Sequence, residues 1–108
     1  MNIHEWETAG GKNEIEGYFS KLSKYEQAEY RKVRDKISEE GYAAFEGLNT
    51  RQLRGKLWEI KISQNRIMYA IADSENVYFI HACKKEKGKA EKFELEKAIK
   101  RAKNANLL

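Results

Sequence analysis

Proline is absent from this sequence, and cysteine occurs once, at Cys83. A single cysteine cannot close an internal disulfide, so the fold must rest on its core, and a reducing compartment, the cytoplasm, is the expectation. The two histidines, His4 and His81, are far apart, and no Cys/His cluster with ligand spacing accompanies them. No metal and no other cofactor is therefore expected. There is no glycine-rich phosphate loop and no Gly-x-Ser-x-Gly elbow, which argues against nucleotide hydrolysis and acyl transfer. Two-carboxylate glycoside chemistry is not indicated either, because the central segment carries only Glu59, Asp73 and Glu75. No apolar run approaches the roughly 20 residues needed to cross a bilayer, and Met1–Glu7 does not read as a signal peptide, so no membrane association is expected. With no repeat and no linker composition, residues 1–108 read as one domain.

What is present is a globular balance, 41% hydrophobic and 35% charged residues. The net charge of +4 conceals a strong polarity. Residues 1–50 hold seven Lys/Arg against ten Asp/Glu, residues 51–83 five against three, and residues 84–108 nine against four. The positive potential lies in the C-terminal half, where a polyanion would dock, although a solvated lysine-rich helix would give the same count.

Ile3–Thr8 reads as a short first strand broken by Ala9-Gly10-Gly11. Asn13 is a candidate N-cap, followed by Ile15, Tyr18, Phe19 and Leu22 at helical spacing. Ser23 and Glu26 fit a capping box that opens a second helix to about Glu40, with Tyr30, Val33 and Ile37 as its apolar stripe and Gly41 as its C-cap. Beyond a loop over Tyr42–Arg54 the period changes to two. Trp58, Ile60 and Ile62 share one face, and Leu57, Glu59 and Lys61 the other. Segments Arg66–Ala72 and Val77–Cys83 complete an antiparallel meander. Leu95, Ala98, Ile99 and Ala102 then mark one face of a last helix whose other positions include Lys97, Lys100, Arg101 and Lys103. The class is α+β, with an N-terminal strand, two helices packed on an antiparallel meander, and a C-terminal helix.

The chemistry-bearing set is basic: Arg54 and Lys56 entering the meander, Lys61 on its first strand, Arg66 opening its second, and His81, Lys84 and Lys85 ending its third. Arginine clamps phosphate bidentately and lysine acts as a mobile charge. Such a cluster suffices in principle for metal-free RNA cleavage, which requires proton removal from a 2′-OH, stabilisation of a phosphorane and protonation of the leaving oxygen. Lys61 and Arg66 could equally be solvent-facing strand residues. His81 shares its alternation with Val77, Phe79 and Cys83, which reads as a half-buried histidine, and it is a proton-transfer candidate only if it reaches the surface. Trp58, Tyr69 and Cys83 read as packing residues.

These residues resemble the RelE/ParE superfamily of bacterial toxins, and within it the phage-derived, HigB-like branch. The similar stretches are Leu53–Lys61, Asn65–Tyr69, Ile80–Lys85, Glu94–Arg101 and the helix start Glu14–Phe19. The resemblance implies a toxin of a type II toxin–antitoxin system, an mRNA interferase that cuts mRNA on the ribosome and inhibits translation, with a helix-turn-helix antitoxin as partner. It assigns Lys61 to proton transfer or charge stabilisation, Arg66 to the scissile phosphate, and Lys84 or Lys85 to the basic position ending the last strand, with His81 a further candidate. Arg54, Lys56, Lys87 and Lys89 are read as RNA-binding. The Lys-Lys-Thr-Gln-Lys-Thr-Pro run common in that branch is replaced by Lys84–Ala90, and no tyrosine follows the last strand, which leaves the general acid without an assignment. A ParE-like gyrase inhibitor and a non-catalytic RNA- or ribosome-binding module are the alternative readings of the same scaffold.

Overall fold

Alternation along the strands and caps at the helix ends together decide which side of the sheet each element covers. The computed structural model describes all residues from Met1 to Leu108. In chain order it contains β1 (Asn2–Glu5), α1 (Glu14–Ser20), α2 (Lys24–Glu40), a 3-10 helix (Gly41–Glu46), β2 (Thr50–Arg54), β3 (Leu57–Ile62), β4 (Asn65–Asp73), β5 (Asn76–Lys84) and α3 (Gly88–Asn104). The strands form one sheet in the order β1-β5-β4-β3-β2. Strand β1 runs parallel to β5, and every other pair is antiparallel. This is the expected α+β arrangement. No helix is long and apolar enough to cross a membrane.

The helix signals act where the sequence places them. Asn13 Oδ1 accepts the Glu16 amide at 2.9 Å, and Ser23 Oγ accepts the Glu26 amide at 3.1 Å while donating to Glu26 Oε1 at 3.0 Å. Helix α1 has only 7 residues and would be marginal alone. Ile15 and Phe19 hold it down, since burying such a side chain contributes roughly 1.5–3 kcal/mol.

Two hydrophobic layers sandwich the sheet. Ile15, Phe19, Tyr30, Val33 and Ile37 from α1 and α2 pack on Ile60, Ile62, Ile67, Tyr69, Val77 and Phe79. Ala98, Ile99 and Ala102 of α3 pack on the opposite face, against Leu57, Met68, Ala70, Ile80 and Cys83.

Three expectations are corrected. The first strand stops at Glu5 rather than reaching Thr8, because Trp6 turns away to lie against Arg101, whose guanidinium carbon sits 3.9 Å from the indole centroid. The expected loop 42–54 contains a 3-10 helix and the edge strand β2, whose Thr-Arg-Gln-Leu-Arg sequence has no apolar alternation and is ordered by pairing with β3. His81 does not share a face with Val77 and Phe79. The register pairs Tyr69 with Phe79 but Met68 with His81, so Ile80 is an extra residue, and this bulge reverses the alternation beyond it. Cys83 accordingly packs in the α3 layer and Phe79 in the other.

Candidate functional site

Lys61 of β3 and Arg66 of β4 are directly opposed in the ladder, next to the turn that joins their strands. Both project on the α3 side, in phase with Leu57 and Met68 of that layer. The turn is tight, and Ser63 adopts φ 57 to close it. Its carbonyl is thereby available to Arg66, whose Nη1 donates to Ser63 O and to Asn65 O, both at 2.9 Å. Behind the guanidinium stands Glu59, 3% exposed. Its Oε1 lies 3.6 Å from Arg66 Nε, and its Oε2 accepts from Arg51 Nε at 3.0 Å. Arg66 is therefore fixed on two sides and retains only 11% side-chain exposure.

The far wall comes from the end of β5 and the start of α3. Lys84 pairs in register with Asn65, and the Lys85 amide donates to Gln64 O at 2.7 Å, which ties the strand end to the β3–β4 turn. Two partly buried polar bonds brace this turn from the side of α1 and α2. Tyr18 Oη donates to Asn65 Oδ1 at 2.6 Å, and Asn65 Nδ2 donates to Glu26 Oε2 at 2.8 Å. Burial, with nearby carboxylates adding to it, pushes the Tyr18 hydroxyl up to about 12, so it remains a donor.

Between these walls lies a cleft of about 170 Å³ lined by Arg51, Lys61, Arg66, Lys84, Lys85 and Lys87, with Glu59, Glu86, Glu91 and Glu94 among them. None of its four lysines is ion-paired. The arrangement is a fixed arginine flanked by mobile ammonium groups, suited to holding a phosphate and opposing charge that develops on it.

A larger cavity of about 510 Å³ adjoins it, and Cys83, Lys84, Glu86 and Glu94 line both. Here His81, 6% exposed, is hydrogen-bonded through Nε2 to Glu94 Oε2. Arg101 Nη1 donates to His81 Nδ1 at 3.2 Å and to Ile80 O at 3.2 Å, while its Nη2 donates to Glu14 Oε2 at 2.7 Å. An arginine can only donate, so Nδ1 is the acceptor and the imidazole proton sits on Nε2, facing Glu94. Burial lowers the His81 pKa, and the Arg101 and Lys97 charges add to it against the pull of the Glu94 carboxylate; with Nδ1 accepting from Arg101, the ring is neutral.

The donor atoms of His81, Cys83 and Glu94 lie within 4.8 Å of one another. A metal on Nε2 would force the proton to Nδ1, against the Arg101 donor. It would also need a thiolate where burial pushes the Cys83 thiol up to about 12. The residues fit a hydrogen-bonded relay and not an ion.

Of the residues expected from the sequence, Lys61, Arg66, Lys84, Lys85 and Lys87 converge on one cleft. His81 stands behind it and touches it through Glu94. Arg54 lies apart, with Lys100 and Lys103, and Lys56 lies beside Tyr42, Trp58 and Tyr69 on the other side of the sheet. Lys89 stands exposed in the first turn of α3. Trp58, expected in the core, is 36% exposed.

Sequence reasoning passed over Glu59, Glu94 and Arg101. The sequence pattern groups Arg101 with the outward basic positions of the last helix, but the residue is 6% exposed. Its spacing gave a signal, since residues 94 and 101 are seven apart and lie on one helix face.

A family model described as phage derived protein Gp49-like (DUF891) matches residues 17–103. No curated protein matches the chain.

Proposed function

This chain belongs to the phage-derived, Gp49-like family, and we propose that it is the toxin of a type II toxin–antitoxin pair, a RelE/HigB-like, metal-independent endoribonuclease that cuts mRNA in the cytoplasm, bound on the ribosome. The observation that carries this reading is the convergence of Lys61, Arg66, Lys84 and Lys85 on one cleft, with Arg66 immobilised by two carbonyls and Glu59. In cleavage, the RNA 2′-oxygen attacks the adjacent phosphorus, the bond to the 5′-oxygen breaks, and a 2′,3′-cyclic phosphate and a 5′-hydroxyl result. Arg66 and Lys61 neutralise the extra negative charge that builds up on the phosphoryl oxygens. Arg66 is already oriented for that charge, and removing one such fixed donor typically costs about 10²–10³ in rate. The ammonium groups at the end of β5 supply the proton that the departing 5′-oxygen takes.

The same unpaired cations are the surface that an acidic segment of a helix-turn-helix antitoxin would cover, hiding the charge that meets RNA. The test is induction in a bacterial host followed by primer extension on cellular mRNA. The reading predicts growth arrest with new mRNA 5′ ends, both abolished by Arg66→Ala. Arrest without new ends, together with inhibited supercoiling by purified gyrase, would replace it with a ParE-like activity. Arrest with neither would leave a non-catalytic RNA- or ribosome-binding module.

A further inference from the structure

Resting on the reading above, we infer that Glu94 is the base that takes the 2′-hydroxyl proton, held in place by the hydrogen-bonded chain Glu14–Arg101–His81, of which Arg101 and His81 are buried. The cleft offers four carboxylates, and three are unsuited to the task. Glu59 is 3% exposed with both oxygens facing arginines. Glu91 is paired with Arg51 Nη2 at 3.6 Å and is half exposed. Glu86 is exposed, in the connection between β5 and α3. Glu94 differs from all three. Its side chain is 22% exposed and lies in the wall common to both cavities, with Oε2 on His81 and Oε1 in no ion pair. One oxygen is thus oriented by a fixed donor, and although the Cys83 thiol also lies against the carboxylate, the other has no ion-pair partner and is left for a substrate hydroxyl.

What fixes the donor lies deeper. Arg101 dictates the His81 tautomer, and Arg101 is itself anchored by Glu14, by Ile80 O and by the Trp6 ring. The network joins α1, β5 and α3, so it holds Glu94 by three elements rather than by its own helix alone. His81 is a positioning residue in this arrangement, and the catalytic group is the carboxylate.

In the step, Glu94 Oε1 accepts the 2′-hydroxyl proton as the bond from O2′ to phosphorus forms. The bond from phosphorus to O5′ breaks, and O5′ takes a proton from a cleft ammonium. One proton enters the protein and one leaves it, so water restores the starting state by exchange between the two groups. The titratable and charged groups around Glu94 are His81, Cys83 and Lys84 on β5, Lys97 and Arg101 on α3, Glu59 on β3, Glu14 and Tyr18 on α1, and Glu86.

The test is single-turnover cleavage of a short mRNA on purified ribosomes by wild-type protein and by Glu94→Gln, which keeps an oxygen for His81 Nε2–H. We expect the variant to bind programmed ribosomes as wild type does, to melt as wild type does, and to cleave about 10²–10⁴-fold more slowly. The acid limb of the pH–rate profile should disappear. Formate should restore part of the rate to Glu94→Ala. Cleavage by Glu94→Gln within about threefold of an active wild type would overturn the inference and leave the ribonuclease reading intact. A slow variant that keeps the acid limb, or whose ribosome affinity falls in step with its rate, would also overturn it, making Glu94 only a clamp for α3. A wild type that never cleaves would overturn the ribonuclease reading itself.

Discussion

Glu59 and Arg66 face each other across adjacent strands, with Arg66 Nε 3.6 Å from Glu59 Oε1 and both side chains almost out of solvent. The carboxylate is the only acidic group paired with this guanidinium, whose remaining bonds go to backbone carbonyls. Replacing Glu59 by Gln would leave Arg66 without a counter-charge and Arg51 with only the exposed Glu91. The expected cost is about 1–3 kcal/mol in urea unfolding, because Arg51 is 46% exposed and recovers part of its hydration. Cleavage should fall further than stability, since a loosened Arg66 no longer meets the phosphate preoriented. Full activity in Glu59→Gln would show that the carbonyl contacts suffice.

Arg101 should govern the protonation of His81. Nitrogen NMR of the imidazole is expected to show a neutral ring with the proton on Nε2. In Arg101→Ala the Nδ1 acceptor loses its donor, the tautomers should mix, and Glu14 and His81 lose a shared partner. Thermal unfolding should fall by several degrees, as loss of a buried charged hydrogen-bonding group requires. An unchanged His81 spectrum in that variant would contradict the network.

His81 also sets a pH dependence of stability. Its folded pKa is depressed below the ordinary value of 6.5, chiefly by burial. Below that value the unfolded chain binds a proton that the folded ring resists, so stability is complete at neutral pH and declines as pH falls through about 6.5. Glu14 and Glu26 are depressed from 4.5, by hydrogen bonds to Arg101 and to Asn65 respectively, and their contribution is lost only at lower pH. Urea midpoints from about pH 7 to about pH 5 should therefore fall in wild type and flatten in His81→Gln. A flat wild-type curve over that range would contradict a buried neutral histidine.

Salt should report how many cleft cations meet phosphate. Affinity for a short single-stranded RNA should fall with salt, and each phosphate contact removed should reduce the slope by about 0.7. Lys84→Ala and Lys85→Ala are expected to flatten the slope. Arg54→Ala, whose residue lies outside the cleft with Lys100 and Lys103, should leave cleavage unchanged.

Much of this molecule was legible from local pattern. Asn13, Ser23 and Glu26 cap their helices because capping needs only neighbours three residues away. The alternation of Leu57–Ile62 correctly put Lys61 with Leu57 and Glu59, and the strand ends brought Arg66, Lys84 and Lys85 to one place. What escaped depends on distant partners. The bulge at Ile80 turned His81 to the α3 side, and no period-two count can register one extra residue. Arg101 looked like another solvated cation, because its acidic partner, Glu14, is 87 positions away. The edge strand β2 has no apolar alternation and is visible only through its pairing with β3.

The central claim is that this cleft breaks RNA by attack of its own 2′-oxygen, with Arg66 opposing the developing charge. The most direct measurement is the chemistry of the ends produced when purified protein acts on ribosome-bound mRNA. The account predicts fragments with 5′-hydroxyl and 2′,3′-cyclic phosphate ends from wild type, and intact mRNA from Arg66→Ala. Fragments bearing 5′-phosphate, or equal cleavage by Arg66→Ala, would contradict it.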